Sequence, residues 1–194
     1  MRNILIQIWK IILLIFTSNT QNLTKKNSNE NGKLVTESEW KEGKLQGNIK
    51  SYYSSGILRS ESTIKNGKPH GLSKIYYQSG QIQKKIRMKN GIQTNKMETF
   101  YENAQLWKLV FFKSGLKNGT FKMFYENGQL EINGNFKNNL AHGHFTYFKK
   151  NGEIRKKGNY YMGAKKGIWT EYTDTSITIE TVGESFKKRE CKNA

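Results

Sequence analysis

The chain is poor in the residues that staple or catalyse: one cysteine, one proline, one aspartate and three histidines in 194 residues. With Cys191 alone, an intrachain disulfide and a cysteine-cluster zinc site are both excluded. A single proline beside 18 glycines rules out collagen and a proline-rich linker, and 12% aromatic residues argue against wholesale disorder. Acidic residues are scarce as well: 15 Asp and Glu stand against 33 Lys and Arg, a net charge of +18 that favours anionic partners or surfaces. Of the histidines, His70 and His142 hold equivalent places in a recurring segment, which points to turn chemistry, and His142 with His144 lacks a third ligand nearby. Asp174 is isolated, and Glu37, Glu61 and Glu131 fall at scattered polar positions, so no carboxylate pair is suggested for acid/base work. No phosphate-cradling loop or dinucleotide fingerprint occurs either. The expectation is a protein that is not an enzyme and uses no metal and no cofactor.

Long apolar runs are also missing. Residues 1–16, MRNILIQIWKIILLIF, are interrupted at Gln7 and Lys10 and are shorter than the roughly 20 apolar residues that span a bilayer. A cation, an apolar stretch and small polar residues near Ser18 to Thr20 read as an export signal over 1–20, expected to be helical, with an uncleaved amphipathic anchor or an added helix as alternatives. The expected location is extracytoplasmic, whether periplasmic, secreted or membrane-associated, and cytoplasmic if the segment is not an export signal. Residues 21–31, QNLTKKNSNEN, show no apolar periodicity and read as a flexible linker.

What the sequence does have is a period. Glycine recurs at 24-residue steps in three series: Gly32, Gly56, Gly80, Gly128 and Gly152, with Ala104 in the gap; Gly43, Gly67, Gly91, Gly115 and Gly163, with Asn139; and Gly47, Gly71, Gly119, Gly143 and Gly167, with Asn95. Two of the three exceptions are Asn, the residue that best tolerates positive φ, so these sites call for left-handed backbone or close approach. Between the glycines, apolar residues alternate with period two, as in LVTESEW (34–40), LWKLVFF (106–112) and FKMFY (121–125), which means strands. Each unit then holds two strands joined by a Gly-bounded loop such as NGKPHG (66–71), and a tighter ENGQ turn (126–129) leads into the next. Six units fill 32–176, and 177–194 reads as a degenerate capping strand with a basic tail. The fold class expected is all-β: an elongated single twisted antiparallel sheet of stacked β-hairpins.

Units such as LRSESTIKNGKPHGLSKIYYQSG (58–80) and LVFFKSGLKNGTFKMFYENG (109–128) resemble MORN repeats, above all the bacterial variant with the pattern y-x-N-G-x-x-x-G-x-x-x-x-Y-Y-x-N-G seen in YwqK-type antitoxins. The resemblance covers about three quarters of the chain. It implies a scaffold of stacked hairpins used for protein interaction, assembly or apposition to membranes, and carries an antitoxin role by name. The chain departs from the eukaryotic pattern in its 24-residue spacing and at many Trp and Gly positions.

Parity assigns the faces. One face is expected to carry Leu34/Trp40, Leu58/Ile64, Ile82/Met88, Leu106/Phe112, Leu130/Phe136 and Ile154/Tyr160, with Ile49, Met97, Phe121, Phe145 and Trp169 and the tyrosines Tyr53, Tyr77, Tyr101 and Tyr125. The opposite parity holds a second aromatic column, Tyr52, Tyr76, Phe100, Phe124, Phe148 and Tyr172, which a single-layer sheet has difficulty burying. Lysine keeps the same period at Lys41, Lys65, Lys89, Lys113 and Lys137, and a broken second series runs through Lys50, Lys74 and Lys122. The column and the first lysine stripe are the candidate partner-binding residues. The alternative for the column is packing, and for the stripe a solvated face whose lysines guard the sheet against association. The partner expected is a protein, with an anionic membrane or polymer surface as the alternative and no nucleic acid if the chain is exported.

Overall fold

The computed structural model describes residues 22–183, so the expected helix over 1–20 and the basic tail after 183 lie outside the described residues. Fifteen strands follow one another in a single antiparallel sheet, and among the described residues there is no helix. The chain divides into two compact units, with the boundary between Ile92 and Gln93.

The first unit holds β1 (Leu23–Ser28), β2 (Leu34–Lys41), β3 (Lys44–Tyr52), β4 (Leu58–Lys65), β5 (Lys68–Tyr76) and β6 (Ile82–Lys89). Here the expected linker is corrected. Residues 23–28 form β1, paired with β2 from Leu23 opposite Trp40 to Ser28 opposite Leu34. All six β1 side chains are exposed, so the strand owes its place to backbone hydrogen bonds along the free edge of β2 and leaves no apolar alternation to read. The second unit contains β7 (Ile92–Phe100), whose first residue ends the first unit, then β8 (Leu106–Lys113), β9 (Leu116–Phe124), β10 (Leu130–Lys137), the short β11 (Leu140–Ala141), β12 (Gly143–Phe148), β13 (Ile154–Tyr161), β14 (Ala164–Tyr172) and β15 (Ile177–Val182).

The turns differ from expectation in which one is tight. Glu42 and Gly43, Asn66 and Gly67, Asn90 and Gly91, Ser114 and Gly115, Asn138 and Asn139, and Met162 and Gly163 all have positive φ. Two consecutive left-handed residues make a type I′ turn, whose twist matches that of the flanking strands. The pairs Lys65↔Lys68 and Lys137↔Leu140 close such two-residue loops directly. The ENGQ segment is the wider connection, with Tyr125 N–H donating to Gln129 O and Gly128 N–H to Tyr125 O.

The third glycine series does not bound a loop but sits inside the second strand of the repeat, or, at Gly143, opens β12 after the break at His142. Between the pairs Ser38↔Ile49 and Trp40↔Leu45, the three residues Gln46, Gly47 and Asn48 face the single residue Glu39, a bulge at φ +109° on Gly47. Glu39 Oε2 accepts from Asn48 N–H at 2.7 Å across that bulge. Ala104, Asn95 and Asn139, which replace glycine in the three series, keep φ of 66°, 60° and 70°, so the backbone conformation persists where the residue changes.

Burial is confined to one face. Ile64 in the first unit and Val110, Phe145 and Trp169 in the second are the buried apolar side chains among the described residues. In the second unit the rings of Phe121, Phe136, Phe145, Tyr160 and Trp169 meet in sequence edge to face, at centroid distances of 5.1, 6.1, 4.9 and 4.9 Å. Gly134 and Gly158 lie beneath Phe145 and Trp169, where a Cβ would come within 2.4 and 2.2 Å of the rings. They are glycine for close approach rather than for backbone conformation.

Candidate interaction surface

A second register shift occurs in five repeats and decides what the aromatic column touches. Ser51 faces Ser60, but Tyr52 faces Leu58, so Arg59 is the extra residue. The same slip sets Tyr76 opposite Ile82 in the first unit, and Phe100 opposite Leu106, Phe124 opposite Leu130 and Phe148 opposite Ile154 in the second. Tyr172 faces Ile177 without a slip, because the last connection is one residue shorter. Leu58, Ile82, Leu106, Leu130 and Ile154 are therefore cross-strand partners of the aromatic column, where parity alone had placed them beside Ile64 and its equivalents. Each pair forms an aromatic and aliphatic neighbour set of the kind that stabilises sheets.

All six column residues are half-buried. In the first unit their polar ends are tied down: Tyr52 O–H donates to Glu37 Oε2 at 3.1 Å, and Tyr76 O–H donates to Glu61 Oε1 at 2.7 Å. Lys74 Nζ donates to the same Glu61 oxygen at 2.7 Å. These contacts, the lysine bond first, hold the Glu61 carboxyl below the ordinary carboxylate range, and the carboxylate in turn raises Lys74. Burial, then the carboxylate, pushes both phenols up. In the second unit Lys157 Nζ lies 5.5 Å from the Tyr172 ring centroid, a cation over an aromatic face.

The tyrosines next in sequence have a different task. Tyr53 O–H donates to Tyr76 O at 2.6 Å, Tyr101 O–H to Phe124 O at 2.8 Å and Tyr125 O–H to Phe148 O at 2.7 Å, each reaching the column residue one repeat on. Lys149 occupies the corresponding slot in the fifth repeat and pairs with Glu153 and Asp174 instead. These side chains lace successive wide loops together and so fix the backbone that presents the column.

The lysine stripe lies elsewhere. Lys41, Lys65, Lys89, Lys113 and Lys137 end the first strands at the tight turns, and all five are exposed. Tyr52 stands eight residues beyond Lys44, about 25 Å away along β3 at about 3.3 Å per residue. Column and stripe therefore belong to opposite ends of the strands and cannot form one patch. Beside the column stand Lys157 at Tyr172 and the lysines of the broken series, Lys50, Lys74 and Lys122, two residues before Tyr52, Tyr76 and Phe124 on the same parity. The register shift that builds the mixed stripe had no mark in the sequence beyond a polar or bulky residue at position 59 and its equivalents.

His70 Nδ1 lies 3.3 Å from Asn90 Oδ1, and His142 packs on Tyr161 at 5.5 Å between ring centroids, so both histidines serve neighbouring tight turns. Among the described residues no group of three His, Cys, Asp or Glu side chains gathers closely enough to hold a metal ion.

The family model for the MORN repeat variant matches residues 45–66, 69–90, 117–138 and 141–160. Each match runs from a second strand through the wide connection into the next first strand, and the repeat it passes over between 91 and 116 is the one in which Asn95 and Ala104 replace glycine. No curated protein matches the chain. Among solved structures, TarM is similar at 13% identity and a TM-score of 0.34, over 68% of this chain and 24% of that one. A GtfA/B complex bound to UDP and GlcNAc is similar at 11% identity and a TM-score of 0.26, over 58% of this chain and 22% of that one. A protein of unknown function from Bacteroides fragilis covers 86% of this chain and 93% of its own at 9% identity and a TM-score of 0.13. The chain spans about a quarter of the first two, and likeness at this level supports no conclusion about its activity. Four matched segments, in register with a 24-residue hairpin period that structure and sequence share, identify these hairpins as MORN repeats of the variant type.

Proposed function

We propose that the chain is a non-catalytic scaffold, exported or envelope-associated, that binds another protein through the aromatic column and the lysines beside it. The observation that supports this reading is the register slip that sets Tyr52, Tyr76, Phe124 and Phe148 against aliphatic partners on a face that no second layer covers among the described residues. Aromatic residues are enriched in interface cores, where rigid rings supply contact area, while charges belong to the polar rim and set orientation. The partner surface suited to it is apolar with an acidic rim. In a retention assay on envelope extract, Tyr76→Ser and Phe124→Ser should each lose the partner at about 0.5 M salt, where exposed charges are screened. Retention by both variants, with circular dichroism showing intact sheet, overturns the assignment.

A second reading rests on the tight-turn lysines. Lys41, Lys44, Lys65, Lys68 and Lys89 crowd one edge of the first unit, with Lys41 opposite Lys44 and Lys65 opposite Lys68. Such an edge attracts an anionic polymer or lipid surface, and binding of that kind weakens steeply with salt. Neutralising the five lysines should abolish it while leaving aromatic-dependent retention unchanged. Export belongs to the scaffold reading; the other alternative is an antitoxin that neutralises a partner toxin by direct contact in the cytoplasm, which requires residues 1–16 to remain uncleaved, and the mass of the mature amino terminus separates the two.

A further inference from the structure

The outer edge of β15 pairs with nothing among the described residues, and it differs in kind from the other outer edge. β1, LTKKNS, carries Lys25 over the Trp40 ring at 3.9 Å and Lys26 at 3.6 Å from Glu37, the charged side chains by which natural edges resist pairing. β15, ITIETV, has five β-branched residues, no cation, no glycine and no proline. Its one charge, Glu180, is held by Lys165 Nζ at 2.9 Å. By its place after a wide connection β15 is the first strand of a seventh repeat, and a second strand is what every earlier first strand has beside it. The consequence appears in exposure: Leu58, Ile82, Leu106 and Leu130 are half-buried opposite the aromatic column, whereas Ile177 in the equivalent place is 65% exposed. Ile179 and Ile168 are exposed at 66% and 62%, and the register puts Ile177, Ile179 and Ile168 on the face of Tyr172.

We propose that β15 pairs antiparallel with β15 of a second copy of this chain, about a two-fold axis through Ile179, so that each copy supplies the neighbouring strand that the outer edge of the other's β15 has nowhere among the described residues. A two-fold normal to the sheet keeps side chains on their own faces only in registers that pair residues of like parity. With Ile179 opposite its own copy, Ile177 meets Thr181 and Thr178 meets Glu180. The exposed isoleucines of both strands then gather on one face, and neither Glu180 faces the other. The alternative of pairing β15 with β1 of a second copy would set ITIETV against Lys25 and Lys26 and would not close, giving a polymer rather than a dimer.

The test uses the full-length chain in reducing buffer. Analytical ultracentrifugation should show the mass rising from monomer to twice that value with concentration, Ile179→Lys should remove the dimer, and Leu23→Lys on β1 should leave it. Register is read by crosslinking in a Cys191→Ser background. Ile179→Cys should form an intermolecular disulfide on mild oxidation, because directly opposed residues have Cα atoms about 4.5–5.5 Å apart, within disulfide reach. Thr178→Cys should not, since its copy lies two residues along the strand. A monomer at every concentration, a dimer that survives Ile179→Lys, loss through Leu23→Lys, or equal crosslinking at 178 and 179 would each overturn the proposal.

Discussion

Replacing Gly134 by Ala tests whether the core row owes its packing to rings laid on glycine. The φ of Gly134 is not in the left-handed region, so the backbone accepts alanine, and in a strand interior alanine is ordinarily better than glycine by about 0.5–1 kcal/mol. Here the new Cβ would stand 2.4, 2.5 and 2.6 Å from Phe145 Cε1, Cδ1 and Cζ. Carbon contacts settle near about 3.5 Å, so the ring must retreat by about 1 Å. Phe145 is only 3% exposed and is held edge to face by Phe136 and Tyr160, so retreat breaks contacts rather than moving into open space. Overpacking of this kind costs about 1–3 kcal/mol, and each disturbed aromatic pair adds about 0.5–1.5 kcal/mol. Set against the alanine gain, the net expectation is a loss of about 1–3 kcal/mol, read from the urea midpoint by far-UV circular dichroism. Since repeat arrays open locally, hydrogen exchange should show the loss concentrated in β9, β10, β12 and β13. In a Phe145→Leu background the ring is gone, and Gly134→Ala should become neutral or stabilising by up to about 1 kcal/mol. A Gly134→Ala chain as stable as the parent, or a penalty that persists once Phe145→Leu has removed the ring, would refute the reasoning.

Ala104→Gly should stabilise the chain by about 1 kcal/mol, since alanine there holds φ 66° where five other repeats have glycine; a differential unfolding experiment against the parent measures it. Tyr125→Phe removes only the bond to Phe148 O and should cost about 0.5–1.5 kcal/mol, with faster amide exchange in the wide loop after β12 and little change in the first unit. The folded-state pKa of Glu61 is depressed, so its contribution is fully present above the ordinary carboxylate range and is lost as pH falls below that range through the lowered folded-state value. Lys74, raised by the same pair, loses its share only at alkaline pH as the ammonium deprotonates. Thermal melts of Glu61→Gln should therefore match the parent most closely at low pH and fall below it at neutral pH; a constant offset across both would remove the ion pair from the account.

The 24-residue recurrence of glycine and asparagine determined, with no structure in hand, that the chain is a series of antiparallel hairpins, and the positive φ at Ala104, Asn95 and Asn139 shows how far that reading reached. Turn chemistry is local: a residue pair such as Asn66 and Gly67 carries its own preference for left-handed backbone, whatever it is joined to. Pairing is not local. Whether Gly71 bounds a loop or bulges a strand, and whether Leu58 faces Ile64 or Tyr52, depends on slips of one or two residues between neighbours, and period-two alternation inverts its meaning across each slip. Only the tertiary structure could decide that the aromatic column meets the aliphatic residues of the next repeat. The same holds for β1, which has no apolar pattern because backbone hydrogen bonds and polar contacts such as Lys25 over Trp40 place it, and for Gly134 and Gly158, whose missing Cβ makes sense only once the rings of Phe145 and Trp169 are seen above them.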